Sequence, residues 1–170
     1  MSTPQKDRIQ IVNENDEIIG HKERGTLDNT DIYRVSALWI TNSKGEILLA
    51  RRHRSKSHHP GMWGPAVAGT VDEGENYEQN IIKEAEEELG LKGIRPVLGP
   101  KIKVDNVYHH FTQWYTLVVD KDPGDFTLQE DEVEEVRWIS PDALSILLRD
   151  QPQDFLPTFK SYFDLFTGKE

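Results

Sequence analysis

The chain has 170 residues, with 30 acidic against 20 basic side chains, a formal net charge of −10 and no cysteine. That length suits a single domain whose core needs no staples, and the missing cysteines exclude disulfides, thiolate zinc sites and a thiol nucleophile. The acidity argues against the basic face of a general nucleic-acid binder. No apolar stretch is fit for a membrane span or signal peptide, so a soluble cytoplasmic protein is expected.

Taken in chain order, residues 1–7 are polar and expected to fray. Runs 9–12 and 17–20 flank Asn13-Glu14-Asn15-Asp16, a hairpin signal, and β-rich runs 33–41 and 46–50 flank Asn42-Ser43-Lys44-Gly45, a second one. Positive charge is concentrated next, in Arg51, Arg52, Arg54 and Lys56, followed by His58 and His59. Residues 66–71 read as a short strand. From Asn76 to Leu89 there is no Pro or Gly, and Ile81, Ile82, Ala85 and Leu89 recur at helical spacing, which predicts an amphipathic helix with Gly90 as its left-handed cap. Residues 97–105 and 107–119 read as a long antiparallel pair. They carry His109 and His110, and strand neighbours point to opposite faces, so at most one of each His pair would face a pocket. Residues 132–139 form a further strand, with Glu134 and Glu135 as solvated positions. Ser140-Pro141-Asp142 starts a helix running to about residue 149. Pro152 and Pro157 then bracket a break before an aromatic helix with Phe159, Tyr162, Phe163 and Phe166. Segment 141–170 is thus helical, packing on the core or on a partner copy. Mixed strands with helices on each side suit an α/β class protein, an α/β/α sandwich with a mixed central sheet.

The helix at 76–89 carries chemistry as well as an apolar stripe. Glu84 lies three residues from Glu87 and four from Glu88, so the three carboxylates share a face, while Glu86 falls roughly 200° from Glu84 and points away. Like charges so spaced destabilise an isolated helix by about 0.2–0.5 kcal/mol per pair. Clustered hard oxygen donors suit Mg²⁺ or Mn²⁺; the bland alternative is a solvated acidic helix face.

From Gly69 the sequence runs G-T-V-D-E-G-E-N-Y-E-Q-N-I-I-K-E-A-E-E-E-L-G-L. It resembles the Nudix box, the loop–helix–loop signature of metal-dependent hydrolases that cut a diphosphate linked to another group. One departure is Lys83, where the family pattern has Arg. The resemblance implies the Nudix fold, water attack on one phosphorus, and a Mg²⁺ (or Mn²⁺) site built from Glu84, Glu87, Glu88 and the Gly69 carbonyl, with Glu84 as ligand or base. Lys83 would orient the carboxylates. A further base is expected from Glu130-Asp131-Glu132, with Glu132 favoured because it sits six residues before Trp138 on a loop expected to be mobile.

Outside the box, residues 9–144 resemble isopentenyl-diphosphate isomerase and the Nudix hydrolases similar to it. In the isomerases two cations of an R-R-x-x-S-K segment hold the diphosphate, which corresponds here to Arg52 and Lys56, with Arg51 beside them. The isomerase chemistry does not carry over: its Cys position is Ala68, its metal His positions are Thr70 and Tyr33, and His110 to Gln113 offers no catalytic Glu. The reading is therefore a diphosphate hydrolase acting on a small organic diphosphate, with no nucleic-acid polymer and no membrane as partner and a homodimer left open. The alternatives are an isomerase-like activity or a non-catalytic domain that senses a nucleotide. Trp63 and Trp114 are candidates either for stacking on a base or for the core.

Overall fold

The computed structural model describes residues 7–168. Residues 1–6 of the polar N-terminal stretch lie outside that range, while the Asp7 carbonyl accepts the Arg24 N–H at 2.8 Å. The strands are β1 (Arg8–Val12), β2 (Ile18–Glu23), β3 (Ile32–Thr41), β4 (Ile47–Arg52), β5 (Trp63–Pro65), β6 (Val67–Thr70), β7 (Val97–Asp105), β8 (His109–Val118) and β9 (Val133–Ile139). Three α-helices accompany them: α1 (Tyr77–Leu89), α2 (Pro141–Asp150) and α3 (Phe159–Thr167). The sheet is mixed, because β3 runs parallel to β8 and antiparallel to β1 and β6. The first expected hairpin forms as β1–β2, and the long pair forms as β7–β8. The second hairpin does not persist. β3 and β4 pair only at Thr41 and Ile47 and then diverge, β3 toward β6 and β8 and β4 toward β5 and β9. β5, three residues long, carries no period that the sequence alone could reveal.

Alternation along β3 builds a core on each face, as a strand buried on both sides requires. Leu38 and Ile40 turn to one face and pack with Val67, Ile81, Ala85 and Leu89. Ala37 and Trp39 turn to the other and pack with Trp114, Leu144, Leu148, Phe159 and Phe163. The first layer is α1, the second is α2 with α3, and the sheet lies between them. Aromatic rings dominate the second layer: Phe166 stacks on Trp39 at 4.6 Å, and Tyr162 meets Trp114 edge-on at 4.8 Å. Such pairs add about 0.5–1.5 kcal/mol each beyond their area burial.

α1 is held at both ends. Asn76 caps its start, accepting from Gln79 N–H while the Gln79 side chain accepts from Asn76 N–H, a reciprocal capping box. Gly90 ends it at φ +70° and returns its N–H to the last turn, and a Cβ there would stand 2.8 Å from Thr127 Cβ. The stripe differs from its predicted form in one respect: Ile82 is only half-buried, while Asn80 is fully buried beside Ile81, Ala85 and Leu89.

Candidate active site

Gly69 sits on β6 opposite Ser36 of β3, and α1 passes directly over it. A Cβ built on Gly69 would meet Glu84 Cγ at 2.6 Å and its Cδ at 2.7 Å, closer than real carbons approach. The Glu84 side chain thus lies directly on the bare Cα of Gly69, and a Cβ there would displace its carboxyl from this position. The turn between β6 and α1 is fixed by a buried polar network. Asn80 donates to Thr70 O at 3.1 Å and to Glu75 Oε2 at 3.1 Å, and its own Oδ1 accepts from Ser36 Oγ. Gln10, also buried, donates from β1 to Asp72 O at 3.1 Å and to Glu75 O at 2.5 Å. Buried polar groups are expensive unless bonded, and here three of them are spent on one turn.

Lys83 belongs to this network. Its Nζ contacts Glu75 Oε1 at 2.5 Å and Asp72 Oδ2 at 2.8 Å. Burial works against its charge, but these two bonds hold its pKa above the ordinary lysine value. Through these two bonds Lys83 clamps the turn that precedes Glu84, Glu87 and Glu88.

Glu84, Glu87 and Glu88 all line one cleft of about 800 Å³, whereas Glu86 is exposed elsewhere. Burial, reinforced by the charge of Glu87, pushes the Glu84 carboxyl up to about 7. Burial pushes Glu88 well above its ordinary value, and the charges of Glu84 and Glu132 add to that.

The same cleft is lined by Arg52, Lys56, His58, His59, Gln129 and Glu132. Arg52 donates from Nε to the His58 carbonyl at 3.0 Å, and Lys56 Nζ meets Glu132 Oε2 at 2.5 Å. The loop before β9 is tied down. Gln129 N–H reaches Glu88 O at 3.0 Å, Glu132 N–H reaches Gln129 O at 3.0 Å, and His53 N–H reaches Glu132 O at 3.0 Å. Glu130 and Asp131 are exposed outside the cleft. Arg51 is absent from the lining of the main cleft and lines a small adjoining recess of about 70 Å³, with its Nε 3.5 Å from Glu134. Glu134 also binds Arg54 at 2.6 Å, so it is an ion-pair anchor and not the solvated position expected.

The far wall is aromatic and comes from three elements: Tyr33 on β3, Tyr108 and His110 around the start of β8, and Tyr162 on α3. Tyr33 and His110 are register partners with ring centroids 5.1 Å apart. Burial lowers the His110 pKa to about 4 and raises that of Tyr33 to about 12, so both rings are uncharged at neutral pH. Of the pair at 109–110 only His110 lines the cleft, as strand alternation demands, and His109 bonds Asp105 at 3.0 Å. The same argument fails at His58 and His59. Both line the cleft, because they lie in a turn where His59 adopts φ +49°. Neither tryptophan is a stacking platform. Trp114 is fully buried in the core, and Trp63 lies under the Arg137 guanidinium at 4.9 Å, outside the cleft lining.

Comparison with known proteins agrees with this geometry. Residues 32–159 match the NUDIX domain. The chain belongs to the Nudix family. It is 32% identical over 141 residues to an uncharacterized Nudix hydrolase, YfcD, of Salmonella typhi, covering 81% of this chain and 74% of the relative. A Nudix hydrolase of Listeria monocytogenes is 29% identical over 154 residues, covering 88% of each. Among solved structures, a Deinococcus radiodurans protein superimposes with a TM-score of 0.71 at 27% identity, covering 85% of this chain and 90% of that one. The protein is therefore an enzyme of the Nudix hydrolase class with the mixed-sheet α/β fold of its structural neighbours.

Nudix hydrolases generally act with divalent metal ions, and the donor set can be tested against that. Among the described residues no three His, Asp or Glu side chains converge as they stand on a point that would hold an ion. The three carboxylates nonetheless share a cleft, in which burial and neighbouring carboxylates disfavour the charged forms of Glu84 and Glu88; a bound dication reverses both effects. Glu84 lies against the bare Cα of Gly69, and carboxylate oxygens are the donors that suit a hard cation. The residues fit the group.

Proposed function

We propose that this Nudix protein is a metal-dependent hydrolase of a small organic diphosphate, with Glu84, Glu87, Glu88 and the Gly69 carbonyl holding Mg²⁺ (or Mn²⁺). The carrying observation is the seat of Glu84 on Gly69, where any side chain at position 69 would collide at 2.6 Å. When bound, the metal neutralises phosphate charge and lowers the pKa of a coordinated water. The protein's own residues supply the rest. The buried bonds of Asn80, Ser36 and Gln10 fix the turn, and Lys83 clamps it through Asp72 and Glu75. Arg52 and Lys56 line the same cleft as the carboxylates and suit the diphosphate oxygens, a fixed guanidinium and a flexible ammonium. Water adds to one phosphorus, the bridging oxygen leaves with the other phosphate, and the water's proton passes to a carboxylate, Glu132 or Glu84. The aromatic wall of Tyr33, Tyr108, His110 and Tyr162 takes the group attached to the diphosphate.

The test is Glu87→Gln, because Glu87 is exposed and the substitution is isosteric. Losing several kcal/mol of charge stabilisation should lower phosphate release by at least ~10²-fold with little change in thermal stability. Undiminished release by the variant would remove Glu87 from the site.

A further inference from the structure

Lys56 and Glu132 lie 76 residues apart in sequence, yet their side chains meet inside the cleft at 2.5 Å. The hydrolase reading gives them separate tasks, one on the phosphate and one on the water. In the structure the two engage each other, Lys56 Nζ bonding Glu132 Oε2, so each offsets the other's charge. We propose that this ion pair is exchanged during binding: the substrate diphosphate takes Lys56 for its own oxygens and thereby releases the Glu132 carboxylate, beside Glu88, to work on the attacking water. The release of Glu132 for catalysis rests on the hydrolase reading; the exchange at Lys56 does not.

Four observations carry it. First, the other cations nearby are differently occupied. Arg51 and Arg54 share the one carboxylate of Glu134, at 3.5 Å and 2.6 Å, outside the main cleft, whereas Arg52 bonds the neutral His58 carbonyl. Lys56 is therefore the cleft-lining cation of this segment whose charge is cancelled by a carboxylate within the cleft. Second, the Glu132 backbone is fixed through His53 and Gln129, so side-chain rotation suffices and the loop need not move. Third, the two side chains retain 26% and 33% of their exposure, and pairs so accessible are worth a factor of about five at most. A diphosphate brings more negative charge and several oxygens to a flexible ammonium, so it outcompetes one carboxylate. Fourth, Glu132 lies close enough to Glu88 for its charge to act on that carboxyl, and both line the cleft that holds Glu84 and Glu87.

The experiment measures binding of methylenediphosphonate, whose P–C–P bridge cannot be hydrolysed, by calorimetry with Mg²⁺. Wild type, Glu132→Gln, Lys56→Gln and the double variant are compared. Glu132→Gln should bind the probe about two- to fivefold more tightly, because the competitor for Lys56 is gone. Lys56→Gln should bind at least about tenfold more weakly. Adding Glu132→Gln to Lys56→Gln should then change affinity by less than about twofold, because the pair it would break no longer exists. Unchanged or weaker binding by Glu132→Gln would overturn the exchange. So would a tightening that persists in the Lys56→Gln background, since that is only the general effect of removing a negative charge. Separately, Glu132→Gln should release phosphate more slowly from a hydrolysable diphosphate despite binding more tightly. Wild-type turnover by Glu132→Gln overturns the release half of the proposal. The binding pattern without hydrolysis of any diphosphate by wild type would leave the exchange standing and sink the hydrolase reading instead.

Discussion

The two faces of β3 are built to opposite rules. On the α2–α3 face, Ala37 and Trp39 meet an all-apolar layer of Trp114, Leu144, Phe159 and Phe163, with ring against ring. On the α1 face, Leu38 and Ile40 do similar work, but one strand step away Ser36 is buried against Asn80, and that pair runs on to Thr70 and Glu75. Apolar packing supplies free energy without direction. Buried hydrogen bonds contribute little net energy and fix atoms in place. The site sits where the second rule applies, and the first face is what makes that placement affordable.

The contrast can be broken at its ends. The largest effect is expected at Phe159, which is fully buried. Phe159→Ala should cost ~3–5 kcal/mol in denaturant unfolding, while the folded fraction keeps its affinity for a diphosphate probe. A loss of affinity without loss of stability would erase the distinction between the faces. Asn80→Ala should show the reverse balance. It leaves Thr70 O, Glu75 and Ser36 short of a partner, at about 1–3 kcal/mol. Yet turnover should fall ~10–100-fold, as when groups supporting metal ligands are removed. Equal kcat with lower stability would make Asn80 merely structural. A third test concerns pH. His110 holds its pKa at about 4 by burial, against an ordinary 6.5. The unfolded chain therefore takes up a proton near pH 6.5 that the folded protein refuses until about pH 4. Stability should fall as pH drops through that window and be indifferent to this group above it. His110→Asn should flatten that part of a melting-temperature profile; an unchanged slope would place the proton elsewhere.

Much of this organisation was legible from residue order, for reasons the structure makes plain. Period and cap chemistry are local, so α1, α2, the first hairpin and the β7–β8 pair were readable. The face shared by Glu84, Glu87 and Glu88 follows from helix geometry alone. What escaped is set by tertiary contact. The partners of Lys83, Arg51 and Glu134 depend on which side chains the fold brings near. The polar pair Ser36–Asn80 looks like surface polarity until two distant segments meet. Asn80 did leave one trace: it sits one residue before Ile81, on the helix's buried side, where an apolar residue is the rule. Ile82 was counted on the stripe by its type, although its angle carries it to the margin. The divergence of β3 and β4 was invisible because each strand's later partners lie far along the chain.

On the proposed function, one metal-loaded cleft between the box helix and the Arg52–Lys56 loop hydrolyses a diphosphate bond. The most direct test is phosphate release from a panel of organic diphosphates by the wild-type protein, first stripped with a chelator and then resupplied with Mg²⁺. No release in chelator and full recovery on adding Mg²⁺ is the expected result. Turnover that continues unabated in the stripped protein would contradict it.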